Sequence, residues 1–132
     1  MSIPDFQSIM LPLLKLAGDG AIHYFYDAVD ILADEFNLSE KELSILIPSG
    51  QPRFVNRVGW AKTYLKKSGL LSYPKRGYIQ ITQRGLEILE EEPPIIDMEY
   101  LKRFPEFVEF RYGNQKEEET SGGNDEDLTP EE

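Results

Sequence analysis

The stretch Arg53–Leu70, RFVNRVGWAKTYLKKSGL, contains five basic residues, the single tryptophan of the chain and no acidic residue. At 100° per residue, four of its apolar side chains share one face: Phe54, Val58, Ala61 and Leu65. This period predicts a helix from Arg53 to about Ser68, ended by Gly69. Gly59 weakens such a helix by about 1 kcal/mol relative to Ala, and would let another backbone approach it closely.

Charge is segregated along the 132 residues of the chain. Residues 53–84 hold eight basic residues and no Asp or Glu, whereas residues 117–132 hold eight acidic residues and no base. The formal net charge of −10 therefore hides a strongly basic segment. Nucleic acid stays among the expected partners despite the acidic total.

Hydrophobic period, caps and turn residues predict the other elements. We predict helices over residues 4–16, 22–36, 43–47, 53–68, 82–90 and 97–104, and strands over residues 71–74 and 78–82. Pro12 is expected to distort the first helix. Ser39 and Glu42 match a capping box before the third helix, and Thr82 is placed to cap the fifth. Residues 75–77 form the turn between the strands.

The predicted order is two helices, a short helix, the long basic helix, a two-stranded β-hairpin and a further helix. This mainly α order with a small hairpin is typical of a winged helix, a winged helix-turn-helix fold. In such folds the last long helix before the hairpin enters the DNA major groove, and the hairpin is the wing.

Residue types on the predicted helix and wing suit DNA. Lys and Arg neutralise phosphates, and Arg and Asn can also contact base edges. The candidate DNA-binding residues are Arg53, Asn56, Arg57, Trp60, Lys62, Lys66, Lys67, Lys75 and Arg76. Three alternatives stay open: the basic face is merely solvated, Trp60 is partly buried, or Asn56 and Arg57 fix the helix against the turn at residues 48–50.

Other chemistries find little support in the sequence. The chain has no cysteine and one histidine, His23, which is expected to be an ordinary residue near the second helix. Asp27, Asp30 and Asp34 share a helix face that we interpret as solvated. We therefore expect no catalytic residue, metal site or cofactor. No signal peptide or membrane span is recognised, and a cytoplasmic location is expected.

The segment 46–89 resembles the N-terminal domain of Mrr-type restriction endonucleases. The matching motifs are Pro48-Ser49-Gly50, Phe54, Asn56-Arg57-Val58-Gly59-Trp60-Ala61, Gly69-Leu70, Arg76-Gly77 and Ile81-Thr82-Gln83-Arg84-Gly85. The resemblance implies a winged-helix domain that recruits double-stranded DNA, methylated or unmodified, for a separate nuclease domain. It also implies that residues 1–112 form the DNA-binding domain, including a short C-terminal helical extension. Residues 113–132 are then an acidic, disordered tail or a linker to that nuclease domain, and this piece does not cut DNA.

Two other functions remain open at this point. In the first, the winged helix is a protein-interaction or homodimerisation module whose interface is anchored by Trp60 and Tyr64, since such aromatic residues often dominate binding. In the second, the chain is a stand-alone transcriptional regulator, which would need a defined operator. The sequence names neither a DNA sequence nor a methylation preference.

Overall fold

Seven helices and three short strands make up residues 3–113, the part of the chain that this computed structural model describes. In chain order the elements are α1 (Phe6–Ala17), β1 (His23–Tyr24), α2 (Phe25–Glu35), α3 (Glu40–Leu43), α4 (Arg53–Lys67), β2 (Leu71–Ser72), β3 (Tyr78–Ile81), α5 (Gln83–Glu90), α6 (Met98–Leu101) and α7 (Pro105–Val108). A π-helical turn, Glu109–Gly113, continues α7. The predicted acidic tail lies outside the described residues, apart from Gly113.

The hydrophobic core is built mainly between α1 and α4. Helix α1 contributes Ile9 and Leu13, both fully buried. The stripe predicted for α4 is also buried in full: Phe54, Val58, Ala61 and Leu65. Each of these side chains except that of Ala61 contributes about 1.5–3 kcal/mol by leaving water. This packing fixes which side of α4 faces outward.

The three strands form one antiparallel sheet in the order β1-β3-β2. Strands β2 and β3 are the predicted hairpin, with Leu71 opposite Ile81. Strand β1 was not predicted, because its two residues were assigned to the start of the second helix. It pairs with β3 at His23 opposite Ile79 and Tyr24 opposite Tyr78. The helix order and this small sheet confirm the predicted mainly α, winged-helix-like fold class.

Local signals explain most helix ends. Ser39 and Glu42 form the predicted capping box, although α3 occupies the capping turn itself and not residues 43–47. The Thr82 hydroxyl accepts a hydrogen bond from the Gly85 N–H and caps α5 as expected. Pro12 lies inside α1, which is nevertheless assigned as one helix.

Two glycines set the path from α4 into the wing. Gly69 ends α4 with φ at +82°, and Gly77 closes the hairpin turn with φ at +85°. Both values lie in the left-handed region, which a glycine adopts without a Cβ clash. The turn that places Lys75 and Arg76 at the tip of the wing therefore depends on Gly77.

The C-terminal helices pack back onto α4. Phe107 of α7 is fully buried, and its ring lies 5.8 Å from that of Tyr64, edge to face. The Phe6 ring of α1 lies 5.2 Å from the same tyrosine. Aromatic pairs in these arrangements add about 0.5–1.5 kcal/mol beyond their area. Tyr64 thus joins three helices in one core.

Candidate functional site

Arg57 lies on the inner side of α4, not on its outer face. Its side chain is 8% exposed. Its Nη1 donates hydrogen bonds to the carbonyl oxygens of Ile3 and Pro4, at 3.0 and 3.2 Å. DNA contact by Arg57 stays a prediction, and the structure places its guanidinium on the inner side, where it ties the N-terminal segment to α4. The competing interpretation, that Arg57 fixes this helix, describes it better, but its acceptors are Ile3 and Pro4 and not the turn at residues 48–50.

The two aromatic residues of α4 differ in exposure. Tyr64 is fully buried, so it is not available as the interface anchor that the interaction hypothesis required. Trp60 is half-buried, with its ring 5.6 Å from that of Tyr64. One part of the Trp60 indole therefore belongs to the core, and the other part faces outward.

Lys62 and Lys66 of α4 both lie close to one aromatic ring of the wing, that of Tyr73. Their Nζ atoms lie 5.1 and 5.2 Å from the centroid of Tyr73, and Lys62 also lies 4.6 Å from the Phe25 ring. Such cation–π contacts are worth about 0.5–1 kcal/mol where they are exposed. Burial lowers the pKa of the Lys62 ammonium, because the charged form loses part of its hydration. A phosphate beside Lys62 would replace that hydration.

The wing carries two more cations. Lys75 Nζ lies 4.4 Å from the centroid of Tyr78, and Arg76 is exposed at the turn. We call Lys62, Lys66, Lys75 and Arg76 the basic surface. Two further predicted residues flank it, Arg53 at the start of α4 and Lys67 at its end, where Nζ lies over Phe110.

These six cations share a lack of anionic partners within residues 3–111, as do Lys15 and Lys41. Among residues 3–111, no carboxylate oxygen lies within 4.0 Å of any of them. The contrast is Arg84, whose Nη1 lies 3.0 Å from Glu106 Oε1 and also donates to the Ser68 carbonyl oxygen at 2.9 Å. Within residues 3–111, these six cations of α4 and the wing therefore have no carboxylate partner.

Asn56 lies on the outer face of α4. Its Nδ2 donates to Gln51 Oε1 at 3.2 Å. Its Oδ1 is buried and has no hydrogen-bond partner among the described residues, and the same holds for Nε of Arg53. Buried polar atoms without partners are uncommon, since each costs about 1–3 kcal/mol. The structure supports neither a helix-cap role for Asn56 nor full satisfaction of its amide.

A cleft of about 610 Å³ opens between α4, the start of α2 and the wing turn. Its lining residues are Tyr24, Phe25, Tyr26, Gln51, Val55, Asn56, Gly59, Trp60, Lys62, Thr63, Arg76 and Gly77. Four of these are aromatic and two are cationic. The volume falls within the range of roughly 300–1,000 Å³ found for small-molecule sites. Four predicted site residues line this cleft: Asn56, Trp60, Lys62 and Arg76.

Sequence reasoning missed the part of the cleft that comes from other elements. Tyr24 and Tyr26 were assigned to a helix with no role, whereas they flank the end of β1 and line the cleft. The available signal was the unbroken aromatic run at residues 23–26, in which Tyr24 and Tyr26 stay exposed while Phe25 is buried. Gln51 and Thr63 gave no signal, because single polar residues beside a helix are common.

The groups expected to have no catalytic role show no arrangement that suggests one. His23 Nε2 lies 3.0 Å from Asp19 Oδ1, four residues earlier, and this hydrogen bond lowers the pKa of Asp19. Within residues 3–113 no cluster of three or more His, Cys, Asp or Glu is placed to hold a metal ion. In the same part of the chain, no helix has both the length and the apolar character needed to span a membrane.

Comparisons with known proteins give a family match. The family model of the Mrr N-terminal domain matches residues 6–91. A curated relative, the type IV methyl-directed restriction enzyme EcoKMrr of Escherichia coli (strain K12), is 29% identical over 103 residues. This alignment covers 75% of the chain and 33% of the relative, so the chain spans about a third of that enzyme's length. No solved structure gives a significant match.

Proposed function

The chain belongs to the Mrr N-terminal domain family, and we propose that it is the DNA-binding targeting module of a restriction system in the cytoplasm. On this proposal it binds duplex DNA and contributes no catalytic residue. The family assignment and the restriction enzyme among its relatives support the proposal. The relative's nuclease activity belongs to that whole protein, of which this chain matches about a third.

The observation that carries the proposal is the set of cations without carboxylate partners on α4 and the wing. Arg84, by contrast, is paired with Glu106. Cations without a carboxylate partner in the described part of the chain suit a partner with regularly spaced negative charge. Duplex DNA provides one phosphate per roughly 1.7 Å of helix axis.

The proposed contacts divide into two kinds. Lys66, Lys75 and Arg76 would contact phosphates and set the orientation of the domain, with Arg53 and Lys67 at the flanks. Asn56 would contact a base edge through its amide, which can both donate and accept hydrogen bonds. We leave Arg57 out of the interface, since its Nη1 is already engaged by two carbonyl oxygens.

A preference for methylated DNA is the finer part of the proposal. Its support is the printed description of the relative as methyl-directed. We propose that this chain binds methylated duplex more tightly than unmodified duplex of the same sequence. Equal affinities for the two duplexes would contradict this part alone.

The test is fluorescence anisotropy of a labelled duplex, methylated and unmodified, titrated at several salt concentrations. Each phosphate contact should contribute about −0.9 to the slope of log K against log salt. Lys75→Ala/Arg76→Ala should therefore make the slope shallower by up to about 1.8. The matched control is Lys102→Ala/Arg103→Ala, which removes two charges from the C-terminal region and should leave the slope unchanged.

Two results would overturn the proposal. One is the absence of binding at low salt by a folded domain. The other is an equal loss of slope in both double variants, because general charge and not the wing would then explain the binding.

A protein-interaction module is the second candidate function. The exposed apolar side chains near β1 favour it: Ile22, Tyr24 and Tyr26 are 51%, 41% and 50% exposed. Exposed aromatic residues are typical anchors of protein interfaces. Sedimentation velocity separates this candidate from DNA binding, since self-association through an apolar patch should persist at high salt. Association that disappears at high salt would contradict it.

A further inference from the structure

The cleft contains more aromatic surface than phosphate and base-edge contacts require. Tyr24, Tyr26 and Trp60 line it, and the first two are among the most exposed large residues of the described chain. The Tyr24 and Tyr26 rings lie 5.8 Å apart and tilted by 55°. Planar aromatic walls of this kind suit a planar ligand, because nucleobases stack on them at about 1–3 kcal/mol each in nucleic-acid complexes.

Gly59 gives a second observation. It lies in the middle of α4 and lines the cleft, and apart from its chain neighbours and the nearby backbone of α4, no heavy atom of the described residues lies within 4 Å of the position a Cβ would take. The close approach of another backbone, which a glycine would allow, is not found there among the described residues. A glycine in a helix interior is unfavourable. Packing against the described residues does not account for a glycine at position 59. The open space beside Gly59 therefore needs another explanation.

The amide of Asn56 gives a third observation. Among the described residues its buried Oδ1 has no hydrogen-bond partner, and one Nδ2 hydrogen is used by Gln51. Asn56 lines the cleft, and its amide carries an acceptor and a donor side by side. Such a pair matches the edge of a nucleobase, where donors and acceptors alternate.

Positive charge lies around the same cleft. Lys62 and Arg76 belong to both the cleft lining and the basic surface. A nucleotide whose base entered the cleft would bring its phosphate with it. Lys62 and Arg76 are placed to neutralise that phosphate from the two sides, α4 and the wing.

We propose that the cleft receives a single nucleobase turned out of the DNA duplex, which Trp60 and the Tyr24–Tyr26 pair stack against and Asn56 recognises by its edge. This inference rests on the proposed function, because the duplex must first be bound by the basic surface. Turning a base out requires unstacking and unpairing, and the stacking walls and the amide supply contacts that offset this.

The test compares a matched duplex with a duplex of the same length that has one central mismatch. A mismatched base costs less to turn out, so the protein should bind the mismatched duplex about tenfold or more tightly. Trp60 is the single tryptophan of the chain, so intrinsic fluorescence reports on the cleft directly. At saturation the mismatched duplex should quench this emission more than the matched duplex does.

The decisive variant is Gly59→Leu, which fills the cleft with a side chain that helices favour. It should retain the fold, which thermal unfolding would check, and the salt slope on matched duplex should stay that of the wild type. The mismatch preference and the additional Trp60 quenching should both disappear. Gly59→Ala, a smaller intrusion into the same space, should reduce the preference partly.

The outcomes separate this inference from the proposed function. Salt-dependent binding with no mismatch preference in the wild type would overturn the base site and leave the DNA-binding module intact. A mismatch preference that persists in Gly59→Leu would also overturn the base site, because the preference would then come from duplex flexibility. Absence of salt-dependent binding to either duplex would overturn both.

Discussion

Two regions of this molecule use the same basic residue types in opposite ways. On the inner side of α4 and at α5, Arg57 and Arg84 donate to named acceptors within the fold: backbone carbonyl oxygens and Glu106. On the basic surface, Lys62, Lys66, Lys75 and Arg76 have no carboxylate partner in the described structure. The comparison teaches that a basic residue indicates a binding site only after its internal partners have been examined.

The largest effect expected from this comparison is on stability. Arg57→Met should lower the free energy of unfolding by about 2–3 kcal/mol, because it removes charge-assisted hydrogen bonds and leaves two carbonyl oxygens without a donor. Lys66→Met, the matched change on the basic surface, should change it by less than about 0.5 kcal/mol. Urea denaturation followed by circular dichroism measures both. Equal effects of the two substitutions would contradict the division between the regions.

A smaller effect on stability is expected at two glycines, one with close neighbours and one with open space beside it. A Cβ on Gly85 would lie 2.5 Å from the Leu70 carbonyl oxygen and 2.6 Å from Ile81 Cγ1. A Cβ on Gly59 would meet no atom of the described residues within 4 Å, apart from its chain neighbours and the nearby backbone of its own helix. Gly85→Ala should therefore destabilise the domain by about 1–3 kcal/mol. Gly59→Ala should stabilise it by up to about 1 kcal/mol. Thermal unfolding of the two variants side by side checks both signs, and destabilisation by Gly59→Ala would show that the cleft has a structural occupant.

The smallest effect concerns pH. The hydrogen bond from Arg84 holds the pKa of Glu106 below its ordinary value of 4.5. A depressed folded-state pKa contributes stability above about pH 4.5, and this contribution is lost as the pH falls through the folded value. Because Glu106 is exposed, the contribution should be small and screened by salt. Glu106→Gln should be slightly less stable than the wild type at pH 7 and equally stable near pH 2, as denaturation at the two pH values would show. An undiminished difference at pH 2 would exclude the carboxylate as its source.

Elements with local signals were predictable from the sequence. The apolar stripe of α4, the capping box at Ser39, the cap at Thr82 and the turn at Gly77 each depend on residues within one or two turns of chain. The boundaries of α4 and α5 are close to those predicted, whereas α3 occupies the capping turn and not residues 43–47. The strand β1 was missed because its two residues become a strand only by pairing with β3, more than fifty residues later.

The candidate site was less predictable for the same reason. Lys62, Lys66, Lys75 and Arg76 were predicted from charge, and within the described residues they have no carboxylate partner. Arg57 is also a basic residue of α4. The sequence contains no sign that the acceptors of its hydrogen bonds are Ile3 and Pro4, over fifty residues earlier. The cleft joins residues of α2, α4 and the wing. No sequence period relates these segments, so only the folded structure reveals it.

The anchoring of Ile3 and Pro4 by Arg57 has a consequence for anyone who builds expression versions of this domain. Removing the first five residues would delete both acceptors, and the buried Arg57 guanidinium of α4 would lose these two hydrogen bonds. A purification tag joined directly to residue 3 would disturb the same hydrogen bonds. Tags therefore belong upstream of residue 1 behind a flexible spacer, and loss of DNA binding in an N-terminally trimmed version would report on the scaffold of α4 and not on its outer face.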